Sequence, residues 1–304
     1  MAPWQDGFFG ADTCFRLLVL FDTFLGPPVA YKLTLMSAET NIGSVLDRIL
    51  EARRAAVDHR KRVLPETALK YGVKAARPPR DFASALCRQG LNVIAELKPA
   101  SPSRGVLREP FDAPLLARTL EAAGARALSV LTEEEFFGGS LGNLRNARKS
   151  VALPVLRKDF IVDSWQVWEA RANDADSFLL IAAVLDEPTL AALIDLGRQL
   201  GMEPLVEVHS ARELERALAA EARIIGVNNR DLKTLSVSLE TSFELIEHIP
   251  DNCIAVSESG LATHEHLARL RSVGFDAFLV GEQLMLARDP AAALGELLGH
   301  AVEP

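Results

Sequence analysis

The stretch VIAELKPASPS, residues 93–103, begins as an apolar, β-branched run and ends in charged and polar residues. Further apolar runs follow it along the chain, separated by amphipathic segments whose apolar residues recur at three- and four-residue steps, the helical period. Continuous apolar strands that alternate with helices indicate βαβ units and a parallel sheet covered on both faces. The predicted strands lie at 93–97, 127–131, 154–157, 178–184, 204–208, 224–228, 253–257 and 277–281.

Eight strand–helix units in about 200 residues suit a (β/α)8 barrel. A doubly wound open sheet is the main alternative, but it usually has a Gly-rich turn after its first strand, where this chain has PASPSRG. We therefore predict an α/β protein: a (β/α)8 TIM barrel with an N-terminal helical extension. Residues 37–304 would form one domain, in which residues 37–92, with helical patterns at 41–57 and 80–89, cap the barrel.

Residues 1–36 differ from the rest of the chain. They are apolar and rich in aromatic residues, but Asp12, Arg16 and Asp22 interrupt them, so no run approaches the roughly 20 residues of a membrane span. The first charged residue is acidic, whereas a secretory signal begins with basic residues. We interpret residues 1–36 as an extra segment that is disordered or not native; the alternative is an additional helix packed on the domain.

Composition excludes several classes of partner and site. The net charge of -8 argues against a general nucleic-acid binder, because affinity for the phosphate backbone requires clustered Lys and Arg. The three cysteines are widely separated and lack the spacing of metal ligands, so they predict neither a disulfide framework nor a zinc site. We expect a monomer in a reducing cytoplasm, with no metal, no cofactor and no contact with a membrane.

Polar residues follow most of the predicted strands, at the end where barrels of this kind hold their active sites. A lone polar residue at a strand end is more often a solvated surface group, but many that converge on one rim favour a reaction site. Because strands alternate their faces, Glu96 and Lys98 share a face, whereas Arg157 and Lys158 cannot both point inward. The strand ends contain Glu96, Lys98, Arg157, Lys158, Asp159, Glu207, His209, Asn228, Asn229, Arg230, Asp231, Ser257, Glu258, Ser259 and Glu282.

Small residues follow the last two predicted strands, where many barrels bind a phosphate through backbone N–H groups. Ser259 and Gly260 come after the seventh strand and Gly281 after the eighth. Glycine lets the backbone approach an anion closely, although these glycines could also simply form tight turns. The pattern favours a phosphorylated small-molecule substrate.

The charged strand ends indicate acid–base chemistry. Two lysines near an arginine repel one another, so we expect a lysine pKa lowered toward neutrality. Such a lysine can donate a proton or form a Schiff base, with Glu207 and Glu258 as candidate bases. The residues alone therefore leave open a sugar-phosphate isomerase, a Schiff-base aldolase and a catalytically silent barrel that binds a ligand or partner.

Seven motifs resemble those of the indole-3-glycerol-phosphate synthase family: ELKPASPSRG, LTEEEFFGGS, PVLRKDFIVD, PLVEVH, IIGVNNRDL, VSESGL and LVGEQLM. The resemblance runs in order from about Ser37 to His300. It implies a lyase that closes the indole ring of 1-(2-carboxyphenylamino)-1-deoxyribulose 5-phosphate, with loss of CO2 and water, in tryptophan biosynthesis.

The resemblance also implies roles for individual residues. Lys158 would be the general acid that protonates the substrate ketone, Lys98 would contact the substrate and help the dehydration, and Glu207 would be a base or proton shuttle. The remaining assignments are Glu96 beside Lys98, Asn228 and Glu258 as groups that position the hydroxyls, Phe137 and Phe160 around the anthranilate ring, and Ser101, Ser259, Gly260, Gly281 and the backbone of Glu282 at the phosphate.

Two positions depart from the family pattern. Ala100 stands where some members have a lysine near the substrate carboxylate, so we expect Arg230 or Arg104 to supply that charge. Glu282 places a carboxylate beside the phosphate site. We therefore expect its backbone N–H to face the ligand and its side chain to point away.

Overall fold

Eight parallel strands form a closed barrel in the computed structural model, which describes residues 43–232 and 234–300. Each strand pairs with its neighbours in chain order, and the first strand closes the barrel by pairing with both the second and the last. The predicted (β/α)8 fold is therefore confirmed. The interpretation of residues 1–36 lies outside the described residues.

The barrel strands are numbered β1 to β8 and the helices α1 to α12 in chain order. The strands are β1 Asn92–Leu97, β2 Ala127–Leu131, β3 Val155–Lys158, β4 Ser177–Ile181, β5 Leu205–Val208, β6 Ile224–Asn228, β7 Ile254–Glu258 and β8 Ala277–Val280. The helices are α1 Gly43–Val63, α2 Glu66–Ala75, α3 Phe82–Leu86, α4 Ala113–Ala122, α5 Leu141–Ser150, α6 Ser164–Ala172, α7 Glu187–Gln199, α8 Ala211–Ala219, α9 Glu240–Ile246, α10 His264–Ser272, α11 Glu282–Leu286 and α12 Pro290–Leu298. In the loop after β1, the short segments Ala100–Ser101 and Gly105–Val106 pair as an antiparallel hairpin outside the barrel.

The fourth strand is shorter than the predicted 178–184. It ends at Ile181, and Ala182–Val184 form a 3₁₀ turn that leads into α7. The apolar run continues through this turn, in which Ala182 is buried although Ala183 is exposed, so hydrophobicity alone did not mark where the strand ends. Among the described helices, none is both long and apolar enough to cross a membrane.

Strand alternation divides the core into two layers. One apolar cluster takes residues from all eight strands, among them Ile94, Leu156 and Leu205, and therefore fills the barrel interior. The side chains of Phe82 and Leu86 on α3 join this cluster and close the end of the barrel opposite the strand C-termini. The other cluster contains the outward-facing strand residues and the inner faces of the helices.

Helix α1 is attached to the barrel through one buried and one partly buried ion pair. Arg53 lies 2.5 Å from Asp159, and Arg60 lies 2.7 Å from Glu169 on α6. Arg157 joins the two pairs, because its guanidinium contacts both Asp159 at 3.1 Å and Glu169 at 2.8 Å. The cap is thus linked electrostatically to the end of β3.

Replacing Arg53 with Met should lower the free energy of unfolding by about 3 kcal/mol, because removal of one partner from a buried ion pair leaves the other charge poorly compensated. Lys61→Met is the matched control. It removes a second cap-to-barrel pair, with Asp163 at 2.7 Å, that is partly exposed and should cost less than about 1 kcal/mol. Urea denaturation of both variants measures the difference, and equal losses would contradict this account of the cap.

Candidate active site

A cavity of about 190 Å³ opens at the C-terminal ends of the strands. Apolar residues of α1, namely Val45, Leu46 and Ile49, line one side of it. The predicted site residues that line this cavity are Glu96, Lys98, Ser101, Phe137, Lys158, Phe160, Glu207, Asn228, Arg230, Glu258, Ser259 and Glu282. Gly260 and Gly281 line an adjoining cavity. The barrel thus brings the whole predicted set to one end.

Lys158 at the end of β3 is surrounded by carboxylates. Its Nζ lies 3.1 Å from Oε2 of Glu207 and 3.8 Å from Oε2 of Glu258. Burial disfavours the charged ammonium group, but the negative charges of Glu207, Glu258 and Glu96 outweigh burial and raise the pKa of Lys158 above its usual value. The side chain is therefore an ammonium ion at neutral pH.

The expectation of a lowered lysine pKa is wrong for Lys158, because its close neighbours are carboxylates and not cations. Lys98 has its own partner, since its Nζ lies 2.8 Å from Oε1 of Glu96. Arg157 lies on the opposite face of β3, where it is fully buried against Asp159 and Glu169. The expectation that only one of Arg157 and Lys158 points into the barrel is met, with Lys158 as the inward residue.

The two carboxylates beside Lys158 differ in how readily they take up a proton. Burial alone would raise the pKa of Glu207, but the charges of Lys158 and His209 lower it below its usual value. Burial and the neighbouring charge of Glu207 raise the pKa of Glu258 to about 8. The site therefore combines an ammonium ion, a carboxylate that stays ionised at neutral pH and a second carboxyl group that takes up a proton much more readily.

Two glycines make room for the buried acids. A Cβ at Gly226 on β6 would lie 2.1 Å from Oε1 of Glu258, and a Cβ at Gly281 would lie 2.5 Å from Oε1 of Glu96. Neither distance is compatible with a side chain unless the carboxylate moves. Gly226 was not singled out from the sequence. Gly281 was expected to serve phosphate binding or a tight turn, and the structure adds a third reason, the space that the carboxylate of Glu96 occupies.

Two aromatic rings form an apolar wall of the cavity. The ring centroids of Phe137 and Phe160 are 6.1 Å apart, with an interplanar angle of 44°. The buried carboxylate of Glu133 accepts three successive backbone N–H bonds of 2.8–3.1 Å that end at Phe137. The carbonyl of Phe137 in turn accepts a 3.1 Å bond from the N–H of Ala100. Glu133 thus fixes the loop that carries Phe137.

The loop after β7 is held in an unusual backbone conformation. Ser259 and Gly260 both have positive φ angles, 66° and 77°, and a Cβ at Gly260 would lie 2.5 Å from Val237. Buried Asn229 supports the loop, because its side-chain amide donates to the carbonyl of Ser259 at 3.1 Å. Of the adjacent asparagines at the end of β6, only Asn228 lines the cavity.

Glu282 does not point away from the site, so that expectation is wrong. Its carboxylate lies 3.0 Å from Arg104 and 3.8 Å from Arg230, and it lines both cavities. The two arginines compensate its negative charge. Of the two residues proposed to replace a lysine at Ala100, Arg230 lines both cavities and Arg104 lines the adjoining one, and both lie next to this acidic side chain.

The described residues show no cluster of ligands for a metal ion: no three His, Cys, Asp or Glu side chains are grouped suitably. Cys87 and Cys253 are free thiols, and burial raises the pKa of each. Neither thiol lines the cavity at the strand ends.

Comparison with known proteins agrees with this geometry. The sequence profile of the family described as indole-3-glycerol phosphate synthase matches residues 46–297. A synthase of that name from Roseiflexus sp. (strain RS-1) is 49% identical over 84% of this chain and 98% of its own length. One from Mycobacterium sp. (strain KMS) is 46% identical over 86% and 96%.

Solved structures of more distant proteins share the fold. 3-Hexulose-6-phosphate synthase from Salmonella typhimurium aligns with a TM-score of 0.57 at 15% identity, covering 69% of this chain and 97% of its own. KGPDC from Streptococcus mutans aligns with a TM-score of 0.56 at 16% identity, covering 68% and 95%. These likenesses concern the barrel alone. The family match and the sequence relatives, in contrast, extend over most of the chain, which therefore belongs to the indole-3-glycerol phosphate synthase family.

Proposed function

We propose that this chain closes the indole ring of 1-(2-carboxyphenylamino)-1-deoxyribulose 5-phosphate, releasing CO2 and water, with Lys158 as the principal acid. Membership of the family supports the reaction. The observation that carries the assignment of Lys158 is its ammonium group, held 3.1 Å from the ionised carboxylate of Glu207 beside an aromatic wall.

Ring closure requires a new bond between an aryl carbon and the ketone carbon of the sugar chain. As that bond forms, negative charge develops on the ketone oxygen, and a nearby ammonium group stabilises it and supplies a proton. Lys158 fits this role, and Lys98, paired with Glu96, fits the later loss of that oxygen as water. The attacking aryl carbon carries the carboxylate, so departure of CO2 restores the benzene ring. Glu207 can then accept the proton that is lost together with the hydroxyl when the five-membered ring becomes aromatic.

The substrate must also be bent so that its two ends meet, and the cavity offers a different environment for each end. Phe137 and Phe160 suit the anthranilate ring. Arg230 or Arg104 suits its carboxylate. The loops after β1, β7 and β8 suit the phosphate, through Ser101, Ser259, Gly260, Gly281 and the backbone N–H of Glu282, while Asn228 and Glu258 lie where the sugar hydroxyls would pass.

The Schiff-base aldolase is the second candidate, and the charge on Lys158 opposes it. Imine formation needs a neutral amine as nucleophile, whereas the carboxylates around Lys158 keep it protonated. Borohydride in the presence of substrate separates the two mechanisms, because only an enzyme that forms an imine becomes covalently labelled.

A monomer in the cytoplasm remains part of the proposal. The free thiols of Cys87 and Cys253 support a reducing compartment. Light scattering coupled to size-exclusion chromatography measures the mass in solution, and a mass of twice the 33.1 kDa of the chain would reject the monomer.

Indole fluorescence after mixing purified protein with 1-(2-carboxyphenylamino)-1-deoxyribulose 5-phosphate tests the function directly. Replacing Lys158 with Ala should lower kcat by about 100-fold or more, the range expected for loss of a general acid, while the substrate still binds. Lys158→Arg is the matched control for charge, because Arg keeps the ion pairs but releases its proton poorly. A kcat of the Arg variant near that of the wild type would remove Lys158 from the acid role.

Gly260→Asp should raise KM about tenfold relative to Gly260→Asn. Both side chains collide with Val237 in the same way, so the comparison isolates the added negative charge beside a bound phosphate. Inhibition by inorganic phosphate should weaken in parallel. Equal KM values for the two variants would place the phosphate elsewhere in the cavity.

A further inference from the structure

His209 and Glu213 lie directly behind Glu207 and have no role in the reaction described so far. His209 follows β5, and Glu213 lies in the first turn of α8. Neither side chain lines the cavity, whereas Glu207 does. Their direct contact with the cavity residues is through Glu207, which His209 touches.

The imidazole of His209 lies between two carboxylates. Its Nε2 is 3.3 Å from Oε1 of Glu207, and its Nδ1 is 3.1 Å from Oε2 of Glu213. The other carboxylate oxygen of Glu207 contacts Lys158 at 3.1 Å. The four side chains thus form a continuous row of alternating acids and bases: Glu213, His209, Glu207, Lys158.

The outer end of this row is anchored to the backbone. Glu213 accepts a 2.8 Å bond from the N–H of His209 and a 3.1 Å bond from the hydroxyl of Ser210. These bonds fix the carboxylate that orients the imidazole. The imidazole has two carboxylates on its two nitrogens and is largely buried, so the protonated form is favoured: although burial opposes the charge, Glu207 and Glu213 raise the pKa of His209 to about 10.

The inner end of the row is less complete. The Nε2 atom of His209 is buried and has no hydrogen-bond partner of good geometry, although Glu207 is within ion-pair distance. A buried donor without a partner is costly, so this N–H has a strong preference for the carboxylate it faces. That preference restrains Glu207 from the side opposite Lys158.

We propose that His209, oriented by Glu213, is a positioning residue that holds Glu207 ionised and in contact with Lys158. A single cation beside Glu207 would allow the proton of Lys158 to transfer to it, which would leave a neutral lysine and a neutral acid. The second cation disfavours that transfer. Lys158 therefore keeps the proton that it must give to the substrate. This inference rests on the proposed function for its kinetic consequence, but the ion-pair row is testable without substrate.

Nitrogen NMR of the histidine rings tests the row directly. We expect His209 to remain protonated above pH 8, where an unperturbed histidine, with a pKa of about 6.5, is neutral. Glu213→Gln should lower the pKa of His209 and leave the signals of the exposed His248, just after α9, unchanged. A His209 that titrates as an unperturbed histidine would overturn the proposal, whatever the enzyme does with its substrate.

Kinetics test the consequence for Glu207. His209→Ala should lower kcat about 10- to 100-fold with KM changed less than about threefold, because a charge-assisted contact is lost outside the substrate cavity. His209→Gln, which keeps a donor but no charge, should recover part of the loss, and Glu213→Gln should show a smaller loss in kcat. His248→Ala is the control that should behave as wild type.

Two results would reject the positioning role. One is an unchanged kcat in folded His209→Ala, and the other is an effect of that substitution confined to a large rise in KM. Absence of indole formation by the wild type would reject the proposed function instead, while the NMR titration of His209 would still decide whether the row exists.

Discussion

The charge of Lys158 is the constraint on which the rest of the site depends. An ammonium group at the inner rim of a barrel is costly unless carboxylates compensate it. No residue adjacent in sequence on β3 can do so from the same face, because strand neighbours point to opposite sides. The compensation comes from Glu207 on β5 and Glu258 on β7, which only barrel closure brings within reach. The same alternation sends Arg157 outward, where a second set of acids compensates it.

The end of β3 therefore carries both a residue of the candidate site and a residue that attaches the helical cap. Asp159, next to Lys158 in sequence, is the barrel partner of Arg53 in the helical cap and also accepts a hydrogen bond from Thr132. The cap also supplies apolar residues to the wall of the cavity. Helix α1 thus both lines the cavity and holds the strand end from which Lys158 projects, so this helix is part of the candidate site.

Apolar runs predicted the barrel well because each strand is buried on both faces. Alternation also predicted that Glu96 and Lys98 share a face, where the structure pairs them. The residues chosen from the motifs also lie together at one end of the barrel. The sign of the pKa shift at Lys158 could not be predicted, because it depends on distances to acids 49 and 100 residues away. Glu133 was hidden in the run TEEE, which resembles a solvated surface segment, and its role depends on how the following loop folds back.

The absence of a side chain at Gly226 has a consequence for how this barrel can change. A substituent at 226 and the carboxylate at 258 would occupy the same space, so position 226 cannot take a side chain while Glu258 keeps its present place. A substitution at 226 made first would displace the carboxylate of Glu258. A shorter residue at 258 introduced first would instead leave space on β6 for a side chain at 226. The order of the two substitutions, and not only their identity, therefore decides whether each intermediate variant keeps its acidic residue in place.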